Sequence, residues 1–236
     1  MPRKEAENFR VRQPAANVSA NKSKPKKEVK EGVIKFSYSL FPAKIPIERI
    51  SGLMICRDKL YKEGLIGIYK TGPMKGIGYG NASIRATFKG KKGFFITGSQ
   101  TGGIEKLPAE KYCFIESFSI AENHVKAFGS VAPSSESITH GAIYSINQSV
   151  GAVVHTHSRE IFEKAGKLGL KFTSKKSSYG SMDLALELKN AIEKMGCPDC
   201  GAIVTLGHED GVFVWHKTIE EASNLCLELL KKAKSI

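Results

Sequence analysis

The spacing of apolar residues along the chain predicts helices that alternate with strands. In four segments apolar residues recur at the helical period, and residues that start or stop helices bound each segment. These signals are Pro46 and Gly64 for the first helix, Ser135 for the second, Ser181 and Gly196 for the third, and a capping box that begins at Thr218 for the last. We therefore expect four helices.

Strands are predicted in the intervals between these helices. Segments 82–88 and 93–97 favour a hairpin because four turn residues, Lys-Gly-Lys-Lys, separate them, and segments 114–120 and 125–129 favour a second pair. Short apolar runs at 150–154 and 202–207 indicate buried strands. Strands and helices in this order predict an α/β domain.

Histidines follow both buried runs. His155 and His157 come directly after the first run, and strand side chains alternate between faces, so both should point the same way. His208 follows the second run, where a third ligand can approach. Neutral imidazoles suit zinc, and three protein ligands leave a coordination position open, as in catalytic sites. The alternative for an isolated His-x-His motif is surface decoration or a hydrogen-bonded core pair.

Length and composition indicate one globular domain with a basic extension. The chain has 236 residues, of which 41% are hydrophobic, and a formal charge of +13. Residues 1–32 contain nine Lys or Arg and four Glu, a net +5, which leaves +8 on residues 33–236. We expect a disordered tail over 1–32, because it has little apolar surface, and a folded domain over 33–236. Nucleic-acid binding by the tail is the less favoured alternative, because no aromatic residues are interleaved with its lysines.

Apolar stretches and cysteines in the sequence indicate the cellular compartment. The chain has no apolar stretch near the roughly 20 residues of a membrane span, and its start lacks the apolar centre of a secretory signal. Its five cysteines are an odd number without disulfide-framework spacing. Cys197 and Cys200 form the one close pair, which we interpret as part of a turn rather than as half of a zinc site or a redox pair. We expect a cytoplasmic protein.

Several fragments, in this order, resemble the class II aldolase/adducin family over roughly residues 47–232. The most specific is Ser-Ser-Glu at 134–136, with His-x-His nineteen residues after its Glu. The others are Gly-Asn-Ala-Ser at 80–83, Thr-Gly at 101–102, His140, Tyr144 and the stretch 211–222.

The resemblance implies a three-layer α/β/α domain with a mostly antiparallel central sheet and a homotetrameric assembly. It also implies Zn²⁺, Mn²⁺ or Co²⁺ held by His155, His157 and His208, and a small phosphorylated sugar as substrate. The residues matching the family's phosphate site are Asn81, Thr101, Gly102, Ser134 and Ser135. Ser99 is an alternative to Thr101, because this turn is longer than the family's. Asp210 is an alternative to His208, because two acids separate that histidine from Gly211.

A divalent ion at this site would polarise a sugar carbonyl and stabilise an enediolate, with Glu136 as the proton shuttle. A solvated glutamate at a helix start is the alternative for Glu136. For the whole chain we expect a metal-dependent lyase, with a dehydratase or epimerase of the same family as an alternative. A non-catalytic scaffold, as in the adducin branch, is the other candidate.

Overall fold

The structure, a computed structural model, describes residues 32–236. The predicted disordered tail therefore lies outside the described residues, apart from Gly32. The strands are β1 (Ser37–Pro42), β2 (Gly67–Ile68), β3 (Gly78–Tyr79), β4 (Asn81–Phe88), β5 (Lys91–Thr97), β6 (Tyr112–Ser119), β7 (His124–Gly129), β8 (Ala152–His157), β9 (Lys171–Phe172), β10 (Gly201–Val204) and β11 (Gly211–His216). The helices are α1 (Ile47–Lys62), α2 (Ser137–Ile146), α3 (Arg159–Lys164), α4 (Met182–Lys194) and α5 (Ile219–Ser235).

One nine-stranded sheet has the order β1-β7-β6-β5-β4-β8-β11-β10-β9, and β2 pairs with β3 in a separate ribbon. The predicted α/β class is confirmed. The sheet is mixed, because the edge strands β1 and β9 run parallel to their neighbours while the inner pairs are antiparallel. The expectation of a mostly antiparallel sheet is therefore not confirmed, because both edges pair in parallel. Parallel pairing needs long connections, which the hairpin spacing of the sequence does not reveal.

Helices cover both faces of the sheet, and each face has its own apolar core. Residues of α1, α3 and α5 pack with strand residues such as Val154 and Val214. Residues of α2 and α4 pack on the other face with their neighbours along the same strands, Val153 and Trp215. Because successive side chains of β8 and β11 point to opposite faces of the sheet, both strands contribute residues to both cores. The odd-numbered residues of β8 point towards α2.

Most predicted helix signals are confirmed. Ser181 caps α4 by accepting a hydrogen bond from the Leu184 N–H, and Thr218 and Glu221 form the capping box of α5. The prediction that Ser135 caps α2 was wrong. That helix has Glu136 at its N-cap position without a side-chain cap, because Ser134 closes the turn: its hydroxyl and carbonyl accept the N–H groups of Glu136 and Ser137.

The remaining features concern α3, the cysteines and membrane spans. Helix α3 was not predicted, because its short segment carries little apolar periodicity; the Ser158 hydroxyl caps it.

Cys197 and Cys200 lie in the turn between α4 and β10, and both are free thiols. No helix within residues 32–236 is long and apolar enough to cross a membrane.

Candidate metal centre

The end of β8 holds the first two histidines of the site. His155 and His157 point to the same face of the sheet as Val153, as the period of two predicts, and their Nε2 atoms are 3.0 Å apart. Both side chains are buried. At most one proton can lie between two such nitrogens, so the contact fits either a hydrogen bond between the rings or two ligands of one cation.

The loop between β10 and β11 brings in His208. The Thr205 N–H donates to the Gly211 carbonyl, and the His208 N–H donates to the Thr205 carbonyl, which loops out the residues in between. The His208 ring centroid lies 4.9 Å from that of His155 and 4.6 Å from that of His157. Ligand nitrogens of all three histidines lie within 4.8 Å of one another.

Asp210, the alternative to His208, is not part of this cluster. It has a left-handed backbone (φ 61°), its carbonyl accepts the Ser158 N–H, and its side chain lines a neighbouring cleft with Arg159 and Glu160. The two additional turn residues are therefore accommodated by a bulge that leaves His208 directed at the other histidines.

Glu136 lies against the rings of His155 and His208. Its Oε2 is 3.2 Å from Nε2 of His155, and its Oε1 is 3.4 Å from Nδ1 of His208. The Asn81 side-chain amide donates to Oε2 at 3.1 Å. The Glu136 side chain is only 2% exposed, which contradicts the alternative of a solvated glutamate at a helix start.

The charges of this cluster fit a divalent cation. Burial, followed by the neighbouring imidazoles, lowers the pKa values of His155 and His157 well below the usual range, so both rings are neutral at pH 7. Within residues 32–236, no Lys or Arg pairs with the buried Glu136 carboxylate. An uncompensated buried carboxylate is costly, and a divalent ion among neutral imidazoles would offset its charge. The residues present therefore fit the group that the resemblance implies.

Neighbouring groups orient the rings. Nδ1 of His155 lies 3.3 Å from the Val212 carbonyl, an acceptor only, so Nδ1 carries the hydrogen and Nε2 keeps its lone pair. The His155 ring also stacks on Phe213, with centroids 4.4 Å apart. On the other side of the centre, the Tyr69 hydroxyl lies 2.8 Å from Nδ1 of His157. Sequence reasoning missed Tyr69, which lies among turn glycines without a spacing signal.

A cavity that opens to solvent lies beside the histidines. All five residues predicted for the phosphate site line it, together with Glu136, His155 and His208. Ser99 lines it as well, so both alternatives at this turn remain near the cavity. Tyr179, whose ring centroid is 5.3 Å from that of His208, forms a further part of the wall. The five predicted residues are Asn81, Thr101, Gly102, Ser134 and Ser135.

Two further residues of the resemblance, His140 and Tyr144, form a polar group behind the histidines. Both lie on α2 and contact the Ser83 hydroxyl of β4, at 2.7 Å from Nδ1 of His140 and 2.9 Å from the Tyr144 hydroxyl. Burial lowers the pKa of His140 to about 3. The group ties α2, which carries Glu136, to the strand that carries Asn81.

Solved structures of known proteins share this fold. A sugar-phosphate aldolase from Thermotoga maritima superimposes with a TM-score of 0.59 at 20% identity, covering 79% of this chain and 92% of that one. L-fuculose-1-phosphate aldolase from Thermus thermophilus gives 0.57 at 19%, covering 80% and 92%. YgbL from Escherichia coli, for which an aldolase, epimerase or decarboxylase function has been suggested, gives 0.57 at 17%, covering 80% and 87%.

No curated protein sequence matches the chain. The family model described as "Class II Aldolase and Adducin N-terminal domain" matches residues 68–235, which include every residue of the histidine cluster and of the cavity wall except Gly32. The chain therefore belongs to the class II aldolase and adducin family.

Proposed function

We propose that this chain is a divalent-metal-dependent lyase that acts on a small phosphorylated sugar. One observation carries the proposal: three imidazoles and a buried carboxylate converge beside a cavity whose wall is rich in hydroxyl and backbone N–H groups. His155, His157 and His208 would hold the ion, with Zn²⁺, Mn²⁺ and Co²⁺ as the candidates.

The chemistry divides between the ion and the protein. When bound, a divalent ion supplies Lewis acidity to a carbonyl and an adjacent hydroxyl oxygen. Glu136 would take or return the proton at the reacting carbon or hydroxyl, and the Asn81 amide holds its carboxylate in place. Thr101, Gly102, Ser134 and Ser135 would bind the phosphate in the same cavity. Asn81, the fifth residue expected at the phosphate, also lines the cavity and already donates its side-chain amide to Glu136.

The proposed site is compatible with more than one type of reaction. Cleavage, epimerisation and water loss can all begin with negative charge developing on a carbon next to a carbonyl. The structurally similar proteins include two aldolases as well as YgbL. A scaffold without activity is the other candidate, and metal content separates it from an enzyme. By family resemblance we also expect a homotetramer, which light scattering of the purified protein would measure.

The first test is metal content. We expect about one Zn²⁺, Mn²⁺ or Co²⁺ per chain by mass spectrometry, lost in a His155→Ala/His157→Ala variant. His124→Ala is the matched control, because His124 lies on β7 and contacts Ser37 and Ser39. A wild-type protein that stays empty after exposure to all three metals would favour the scaffold.

The second test is turnover. Phosphorylated ketoses and aldonates would be screened with each metal, following cleavage, epimerisation and water loss. For any substrate found, Glu136→Gln should keep the metal and lower kcat by about 100-fold or more, because the amide cannot relay a proton. Unchanged kcat in this variant would remove Glu136 from the mechanism.

A further inference from the structure

Arg57 of α1 is a buried cation that binds one loop through its backbone. The residue is 1% exposed, and its guanidinium donates to the carbonyls of Thr101 at 3.2 Å, Gly102 at 2.9 Å and Glu105 at 2.8 Å. Its one acidic partner within residues 32–236, Asp58, is 3.4 Å away and partly exposed. Burying a guanidinium costs free energy unless its N–H groups are hydrogen-bonded. Here the acceptors are mainly carbonyls of the loop at 101–105.

These bonds fix the direction of two peptide groups. In a trans peptide the N–H points opposite to the carbonyl oxygen, so the N–H groups of Gly102 and Gly103 point away from Arg57. The Tyr61 hydroxyl, also on α1, lies 3.4 Å from the Gly103 carbonyl and holds the same side of the loop. Within the described part of the chain, neither N–H has a hydrogen-bond acceptor.

The Cα of Gly102 is packed against the backbone of the β2–β3 ribbon. A Cβ at Gly102 would lie 2.5 Å from the Tyr79 carbonyl oxygen and 2.6 Å from that of Gly67. The loop is therefore held between α1 and the β2–β3 ribbon, and it cannot shift to compensate for a lost donor. Gly102 also lines the cavity beside the histidines.

We propose that Arg57 is a positioning residue for anion binding, acting through the peptide groups at 101–103. It draws the carbonyls to its own side, which leaves the N–H group of Gly102, a residue of the cavity wall, unpaired and polarised as a donor for a phosphate group. This rests on the proposed function, in which Thr101 and Gly102 contact the substrate's phosphate. Lysine cannot replace Arg57, because a single ammonium does not span three carbonyls as a planar fork does.

The test compares Arg57→Lys with wild type in two titrations of the full chain by calorimetry, one with inorganic phosphate and one with Zn²⁺. We expect the phosphate Kd to rise about 10-fold in the variant, the effect of losing hydrogen bonds that orient the site, while the Zn²⁺ Kd changes less than about twofold. Arg49→Lys is the matched control, since Arg49 lies on the same helix and donates to the Thr87 carbonyl. It should leave both affinities unchanged.

Wild-type protein supplies a second measurement that does not depend on how well the variant folds. Phosphate should shift the amide signal of Gly102, which lines the cavity, in NMR spectra and slow its hydrogen exchange. An unchanged phosphate Kd in Arg57→Lys, or phosphate binding that leaves the Gly102 amide unaffected, would overturn the proposed role of Arg57 and leave the rest of the proposed function standing. A wild-type protein that binds Zn²⁺ but no phosphate would overturn the phosphate part of the proposed function as well.

Discussion

At the scale of single residues, the contact between Tyr69 and His157 predicts that Tyr69, which is not itself a ligand, affects the affinity for the metal. The Tyr69 hydroxyl fixes Nδ1 of His157 and so leaves Nε2 directed at His155. Partners of this kind typically change metal affinity by 10–100-fold. We expect Tyr69→Phe to raise the Zn²⁺ Kd by at least about 10-fold in a chelator-competition assay.

The control is Tyr38→Phe on the exposed edge strand β1, which should bind Zn²⁺ as wild type does. If Tyr69→Phe also keeps wild-type affinity, the hydroxyl does not orient His157. A loss of affinity together with a large loss of stability would instead show that Tyr69 acts through packing, since its ring also contacts Tyr79.

The lowered pKa of His140 predicts how the stability of the protein depends on pH. Its pKa is lowered from 6.5 to about 3 in the folded protein, because burial disfavours the charged ring. Between these values the unfolded chain binds one more proton than the folded chain at this residue. Stability from this group is therefore complete above about pH 6.5 and falls by about 1.4 kcal/mol per pH unit below it.

The variant His140→Gln tests this dependence. Urea unfolding at several values between about pH 4.5 and 6 should show a slope of unfolding free energy against pH that is about 1.4 kcal/mol per unit shallower than in wild type. Above about pH 7 the two slopes should coincide, which makes that range an internal control. Equal slopes in acid would mean that His140 is already protonated in the folded state.

Residues that repeat with a secondary-structure period could be placed from sequence, whereas residues that act through distant contacts could not. His155 and His157 share a face because strands have a period of two, and this needs no knowledge of the fold. Tyr69 meets His157 from 88 positions away, and Arg57 meets Thr101 from 44. No local pattern encodes such pairs.

At the scale of elements, the capping box of α5 makes a quantitative prediction. The Thr218 hydroxyl accepts the Glu221 N–H at 3.2 Å, and the Glu221 carboxylate accepts the Thr218 N–H at 3.0 Å. Thr218→Ala should lower the free energy of unfolding by about 1 kcal/mol, measured in urea. Ser235→Ala in the last turn of α5 is the control, with an expected change below about 0.5 kcal/mol. A Thr218→Ala protein as stable as wild type would mean that packing alone sets the start of α5.

The same local chemistry decides which elements the sequence could predict. Caps and apolar periods placed α1, α4 and α5, and alternation placed the hairpins β4–β5 and β6–β7. The edge strand β1 was not predicted, because it exists through pairing with β7, with Ser37 opposite His124. The cap at Ser135 failed for a similar reason: Ser134 and Glu136 are held by the site rather than by helix propensity alone.

At the scale of the whole molecule, the site joins elements that are far apart in the chain. β4 supplies Asn81, the start of α2 supplies Glu136, β8 supplies two histidines and the loop before β11 supplies the third. An ion held between these elements binds the folded chain and not the unfolded one. Metal binding should therefore stabilise the complete domain rather than one element.

This linkage predicts a shift in thermal unfolding. Zn²⁺ at about 100 times its Kd adds about 2.7 kcal/mol of stability, which for a domain of this size corresponds to a Tm increase of about 5 to 10 °C. Calorimetry of wild type with Zn²⁺, and then with excess chelator, should show this difference. In His155→Ala/His157→Ala the two scans should coincide. A wild-type Tm that is the same with Zn²⁺ and with chelator would mean that the three histidines hold no ion.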